Sequence, residues 1–186
     1  MRTLRRLWEY VFVMVRRVRG GGMAPLAPLR RRPSLLVGVA AFEFGLLFSN
    51  RLEPRLKVLA HLRVSGLVGC LYCLDLGSEF ARRAGLSDRQ LLELHHYDTS
   101  DAFDDDERFV LELATALTAT PLTLTDAMRK GAAERFSKSQ LAELYTSIAW
   151  ENYVARFNRA FSVPSAGFSS SACAVPVGRA DPDQAA

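Results

Sequence analysis

Only three cysteines occur among the 186 residues, too few for the disulfide framework that holds small secreted domains together. Cys70 and Cys73 share one CxxC and Cys173 stands alone; no second CxxC, HxxxH or HExxH completes the four ligands of a structural zinc site. GxGxxG and P-loop patterns are missing, which removes the usual nucleotide-binding loops. Neither a metal nor a cofactor is therefore expected. No apolar run reaches the roughly 20 residues that cross a bilayer. Acid is scarce at the start of the chain: residues 1–32 hold nine arginines against Glu9, a charge of +8 that leaves −4 for the remainder of a chain whose total is +4. The basic balance thus belongs to the leader. The body lacks the basic stripe interleaved with aromatics that nucleic acid requires, so no nucleic-acid partner is expected.

In the leader, Leu4, Leu7, Val11, Met14 and Val18 fall at helical spacing, a pattern suited to a short basic helix on an anionic membrane or a partner. A poorly ordered extension is the simpler reading, and membrane contact is not expected. Glu9 inside the apolar stretch and arginines after it argue against a signal peptide. Together with the odd cysteine count, this places the protein in a reducing cytoplasm. The predicted organisation is a basic extension and linker over 1–33, closed by Pro25, Pro28, Arg30 to Arg32 and Pro33; one helical domain over 34–176; and a polar, disordered tail over 177–186.

With 49% hydrophobic residues, the chain can bury one sizeable core. Leu35 to Phe48 is apolar but short and contains Glu43, which predicts a helix that is buried or at an interface. Ser87 to Gln90, Asp104 to Glu107 and Ser137 to Gln140 each match a capping box, in which two side chains satisfy unpaired donors of a helix's first turn. Apolar positions follow at helical spacing: Phe109, Val110, Leu113 and Leu117, then Leu141, Leu144, Ile148 and Tyr153. Sustained strand alternation is absent. The predicted fold class is all-α, with about six or seven helices. The acidic run Asp104 to Glu107 reads as helix-start chemistry favoured by the dipole, not as a calcium loop.

On this framework Cys70 and Cys73 fall in the first turn of a helix that runs to about Ala84, with Gly85 as its stop. A helix N-terminus favours a thiolate, and a spacing of three brings the second sulfur within reach for a disulfide. The pair reads as redox-active; the alternative is two small apolar residues in a helical core.

The stretch Leu56-Lys57-Val58-Leu59-Ala60-His61-Leu62-Arg63-Val64-Ser65-Gly66-Leu67-Val68-Gly69-Cys70-Leu71-Tyr72-Cys73-Leu74-Asp75 resembles the core of the carboxymuconolactone decarboxylase and alkylhydroperoxidase AhpD-like family. Glu151 to Asn158 and Gly167-Phe168-Ser169 resemble a branch of it, and the resemblance spans residues 34–176. It implies an AhpD-like helical bundle, a homo-oligomer, and a peroxidase that reduces a hydroperoxide and is regenerated by a dithiol reductant. It further implies that Cys73 attacks the peroxide and Cys70 resolves the sulfenate. The family pattern has a glutamate twelve residues before the first cysteine and a histidine four after the second; this chain has Val58 and Gly77 there.

His61, three residues after Val58, lies near the same helical face and is the candidate base. Asp75 and Glu79 are acids on the cysteine helix, with Asp75 in the turn that the dipole favours. Glu151, Asn152, Arg156 and Asn158 are polar groups dense among Trp150, Tyr153, Val154 and Phe157, suited to burial near the cysteines or to a network between helices. Two functional classes follow: a CxxC peroxidase acting through Cys73, Cys70 and His61, or a non-catalytic helical oligomer that binds a small ligand. Decarboxylation ranks last, since no clear acid and base pair is present.

Overall fold

The computed structural model describes residues 24–168. The leader helix expected from Leu4 to Val18, Cys173 and the tail over 177–186 lie outside them. Two short 3-10 turns, Ala24–Leu26 and Pro28–Arg31, lead into seven helices: α1 (Pro33–Phe48), α2 (Pro54–Val68), α3 (Leu71–Arg83), α4 (Asp88–Glu93), α5 (Asp105–Thr118), α6 (Asp126–Arg135) and α7 (Lys138–Ala160). A further 3-10 turn, Leu94–His96, follows α4. No strand occurs among the described residues, so the fold is all-α as expected.

All three capping boxes form, with Ser87, Asp104 and Ser137 each accepting from the third residue's backbone and receiving its side chain in return. In the acidic run, Asp104 accepts from the Glu107 amide at 2.8 Å and Glu107 from the Asp104 amide at 3.0 Å. Glu107 is almost fully buried and also pairs with Arg55 and Gln90. The run is therefore helix-start chemistry tied into the interior.

Helix α2 is central because it is apolar on two sides. Leu56, Ala60 and Val64 pack with Val110, Leu113 and Ala114 of α5 and with Leu144 and Ile148 of α7. Leu59 and Leu62 face the other way, onto Leu74 and Ala81 of α3 and Leu91 of α4. The seam between α2 and α7 carries polar groups in register. Lys57 pairs with Glu143, and eight residues later Ser65 meets Glu151, so the two helices run parallel. Glu143 also accepts from the Arg51 and Leu52 amides at 2.7 and 3.0 Å, which fixes the turn between α1 and α2. Burial pushes its carboxyl up, but Lys57 and the Leu52 amide more than reverse this and hold it below the usual range.

Of the two expectations for helix α1, burial within the chain is not met, for none of its residues is buried there. It lies against α7 through Phe42 stacked on Trp150 at 4.3 Å and Glu43 accepting from the Trp150 indole at 2.9 Å. Its outer stripe, Val37, Phe44 and Phe48, is exposed. Among the described residues no helix is long and apolar enough to cross a membrane.

Candidate functional site

The site begins where α2 ends. Gly69 takes a left-handed conformation (φ 76°), which lets both its own amide and that of Cys70 donate to the Ser65 carbonyl at 2.9 Å. This turn delivers Cys70 as the N-cap of α3, with its Sγ accepting from the Cys73 amide at 3.2 Å. A side-chain acceptor there satisfies one of the unpaired N–H groups of the first turn, here with sulfur in place of oxygen. Cys70 and Cys73 are joined as a disulfide. Both are buried, in a cluster with Tyr72, Ala155 and Phe168.

Two elements cover the pair. From α7, Asn158 aims its Nδ2 at Cys73 Sγ (3.4 Å) and Cys70 Sγ (3.9 Å). From beyond α7 comes a strap, residues 163–168, whose Phe168 packs edge-on against Tyr72. The strap starts with the Val163 amide donating to the Asn158 carbonyl at 2.9 Å, and its far end is held by Asp75 Oδ2, which accepts from Ser165 Oγ at 2.9 Å and from the Ala166 and Phe168 amides at 3.0 Å. Asp75 is fully buried. It lies just past the first turn of α3, which holds no acid, so the expected helix-start role is not met; its partners come from some 90 residues away.

Below the cysteines, the α2–α7 seam holds a second polar group. Ser65 Oγ lies 2.7 Å from Glu151 Oε1 and 2.8 Å from the His61 carbonyl. A hydroxyl has one proton to give. Both contacts are satisfied when Ser65 donates to the carbonyl and a protonated Glu151 donates to Ser65. Burial pushes the Glu151 carboxyl up to about 8, opposed by the Ser65 hydroxyl and aided by the Glu43 charge, so the neutral acid prevails at pH 7. His61 lies one turn before Ser65. Burial, reinforced by the Lys57 charge, lowers it to about 4 and keeps the imidazole neutral. Its Nε2 is buried without a partner and reaches neither sulfur. The side chain that does reach them is Asn158, one of several polar α7 residues in the sequence pattern, where periodicity alone could not single it out.

Among the described residues no group of three or more His, Cys, Asp or Glu gathers to hold a metal ion. Residues 33–116 match the carboxymuconolactone decarboxylase family. The uncharacterized protein YnjA of Escherichia coli strain K12 is 35% identical over 87% of this chain and 87% of its own. The chain belongs to the carboxymuconolactone decarboxylase family. Among solved structures of similar fold, a variant of the debrominase Bmp8 in complex with 2,3,4-tribromopyrrole superposes with a TM-score of 0.70, at 20% identity over 84% of this chain and 86% of that one. ATU0492 of Agrobacterium tumefaciens, a protein of unknown function suggested to be the antioxidant defence protein AhpD, has a TM-score of 0.70 and 24% identity over 75% of this chain and 95% of that one.

At Gly77, where the family pattern has a histidine, there is little room for a side chain. A Cβ on Gly77 would come within 2.8 Å of Leu62 Cδ2, a fully buried core side chain. Overpacking a filled core is destabilising. Gly77→His is accordingly expected to lower the melting temperature by several degrees, on the order of 1–3 kcal/mol, with Gly77→Ala affected less because alanine gains helix propensity. A thermal melt of the two variants beside wild type checks this.

Proposed function

We propose that this protein is a thiol-dependent oxidoreductase that reduces hydroperoxides through Cys73 and Cys70. The observation that carries the reading is the CxxC pair at a helix N-terminus, disulfide-bonded and with a hydrogen-bond donor on each sulfur. In the reduced protein, the Cys73 thiolate attacks one peroxide oxygen; an S–O bond forms, the O–O bond breaks, and the departing alkoxide takes a proton to leave as the alcohol. The Cys70 thiol then attacks the sulfenic acid sulfur, forming the S–S bond and releasing water. A dithiol reductant restores both thiols by exchange. With Val58 and Gly77 at the relay positions, Glu151 on the α2–α7 seam is the candidate group for moving protons, since His61 reaches neither sulfur. A reducing cytoplasm supplies dithiol donors, and the apolar outer stripe of α1 suits a second copy of the chain.

A second electrophile fits the same site. Tyr72 and Phe168 set aromatic walls beside the disulfide, and a structural neighbour is a debrominase. Here the thiolate would take bromine from carbon, the carbon would take a proton, and the second thiol would displace bromide as the disulfide forms.

The test is intact mass of the reduced protein after one equivalent of cumene hydroperoxide, with Cys73→Ser and Cys70→Ser in parallel and tribromopyrrole as a second arm. Peroxidase action predicts rapid loss of two hydrogens in wild type and an oxygen adduct trapped in Cys70→Ser. Two-hydrogen loss with tribromopyrrole alone moves the assignment to dehalogenation. Thiols that react no faster than free cysteine with either compound favour a ligand-binding role.

A further inference from the structure

The two sulfurs do not start equal. Cys70 is the N-cap of α3, so its sulfur receives the Cys73 amide directly and sits at the positive end of the helix dipole. On helix chemistry alone, Cys70 would hold the thiolate. Cys73 is one turn inside, and its donor comes from another helix: Asn158 Nδ2 at 3.4 Å, nearer than its 3.9 Å to Cys70. Fully buried Ala155, one turn earlier on α7, packs in the cysteine cluster and brings this helix close.

Asn158 is itself only 2% exposed, and its Oδ1 is buried with no hydrogen-bond partner. Leaving a buried carbonyl without a partner is destabilising. Turning the amide over would aim that carbonyl at sulfur lone pairs. The orientation seen is the one in which the amide works as a donor to the cysteines.

We propose that Asn158 decides which of the two sulfurs carries the thiolate, moving it from the N-cap Cys70 to Cys73. A hydrogen bond from a buried amide to an anion is stronger than one to a neutral thiol, so the Nδ2 group pulls the Cys73 proton off preferentially. The proposal rests on the pair acting as a dithiol and makes Asn158 a catalytic residue in contact with the reacting atoms. Tyr72 and Asp75 on α3 and Glu151 on α7 are neighbouring ionisable groups; they remain in every variant below.

Reduced full-length protein is labelled with limiting iodoacetamide across neutral to alkaline pH, and peptide mapping gives the pH midpoint and label fraction at each cysteine. Wild type is expected to label at Cys73 with the lower midpoint. In Asn158→Leu, which removes the donor at similar volume, the Cys73 to Cys70 ratio falls about tenfold; in Asn158→Asp, whose carboxylate faces the sulfurs, it falls further. Circular dichroism verifies that both variants fold. A wild-type measurement guards against their failing to do so: the Asn158 side-chain amide resonances are expected to shift with the Cys73 titration. A lower midpoint at Cys70 in wild type, a ratio unchanged in folded variants, or amide resonances that ignore the titration overturns the proposal. No peroxide is used, so an inert peroxide assay with Asn158-dependent labelling would reject the peroxidase reading and keep this one.

Discussion

Glu151→Gln is expected to make the protein more stable above neutral pH, by roughly 3–5 kcal/mol at pH 8. The folded state holds the Glu151 proton to about pH 8, whereas an ordinary glutamate releases it near 4.5. Between those values folding takes up a proton, so this group's contribution is complete at acid pH and is lost as pH rises through 8. His61 works in the opposite sense: its folded value of about 4 lies below the ordinary 6.5, so unfolding takes up a proton in that window and stability falls as pH drops. The two slopes oppose each other between pH 4.5 and 6.5, and above 6.5 only that of Glu151 remains. Glutamine reproduces the neutral acid, with its amide donating to Ser65. Urea denaturation over this range should show stability declining above pH 6.5 in wild type and levelling off in the variant. Parallel curves would mean that Glu151 is charged in the folded protein and that Ser65 donates to it.

The strap over the cysteines gives the second large effect. Asp75→Ala removes the acceptor shared by Ser165 Oγ and the Ala166 and Phe168 amides. The buried Phe168 amide left unpaired is worth about 1–3 kcal/mol, more than a six-residue segment with one buried anchor, Phe168, can absorb. The strap should therefore leave the site while the helical body, whose two large apolar clusters exclude residues 163–168, stays folded. Cys70 and Cys73, at 2% and 8% exposure, would then be open to attack. Reduction of the disulfide by dithiothreitol should accelerate at least tenfold, on the order of the barrier lost with one anchoring contact. Limited proteolysis should gain a cut near residues 163–168 that wild type lacks. An unchanged reduction rate would show that access to the sulfurs does not pass through the strap.

These effects differ in how far the linear sequence foretold them. Local chemistry was legible: the capping residues Ser87, Asp104 and Ser137 act within one turn, and the CxxC meets its helix terminus through neighbours three residues apart. Val58 and Gly77 could likewise be read as departures from the family pattern, although the contact that crowds Gly77, with Leu62, needed the packing of α2 on α3. The remote pairs were not legible. Ser65 finds Glu151, the sulfurs find Asn158, and Asp75 finds the strap across separations of 85 to 93 residues, and periodicity carries no record of which distant helix a polar side chain will meet. Asp75 shows the difference well: the sequence suggested a helix-start acid, whereas the residue lies past the first turn and holds the strap by three contacts that the sequence does not show. Helix α1 shows the converse: its apolar composition is plain, but a single chain does not cover it.

The parallel pairing of α2 with α7 also has a kinetic side. Some 70 residues separate the two helices, so their seam is a non-local contact, and contacts of this kind form slowly during folding. During synthesis from the N-terminus, the cysteine-bearing turn leaves the ribosome well before α7 and the strap. The nascent thiols therefore spend the interval without the Asn158 amide and the strap that cover them in the finished protein, and the dithiol can be enclosed only once both have been made.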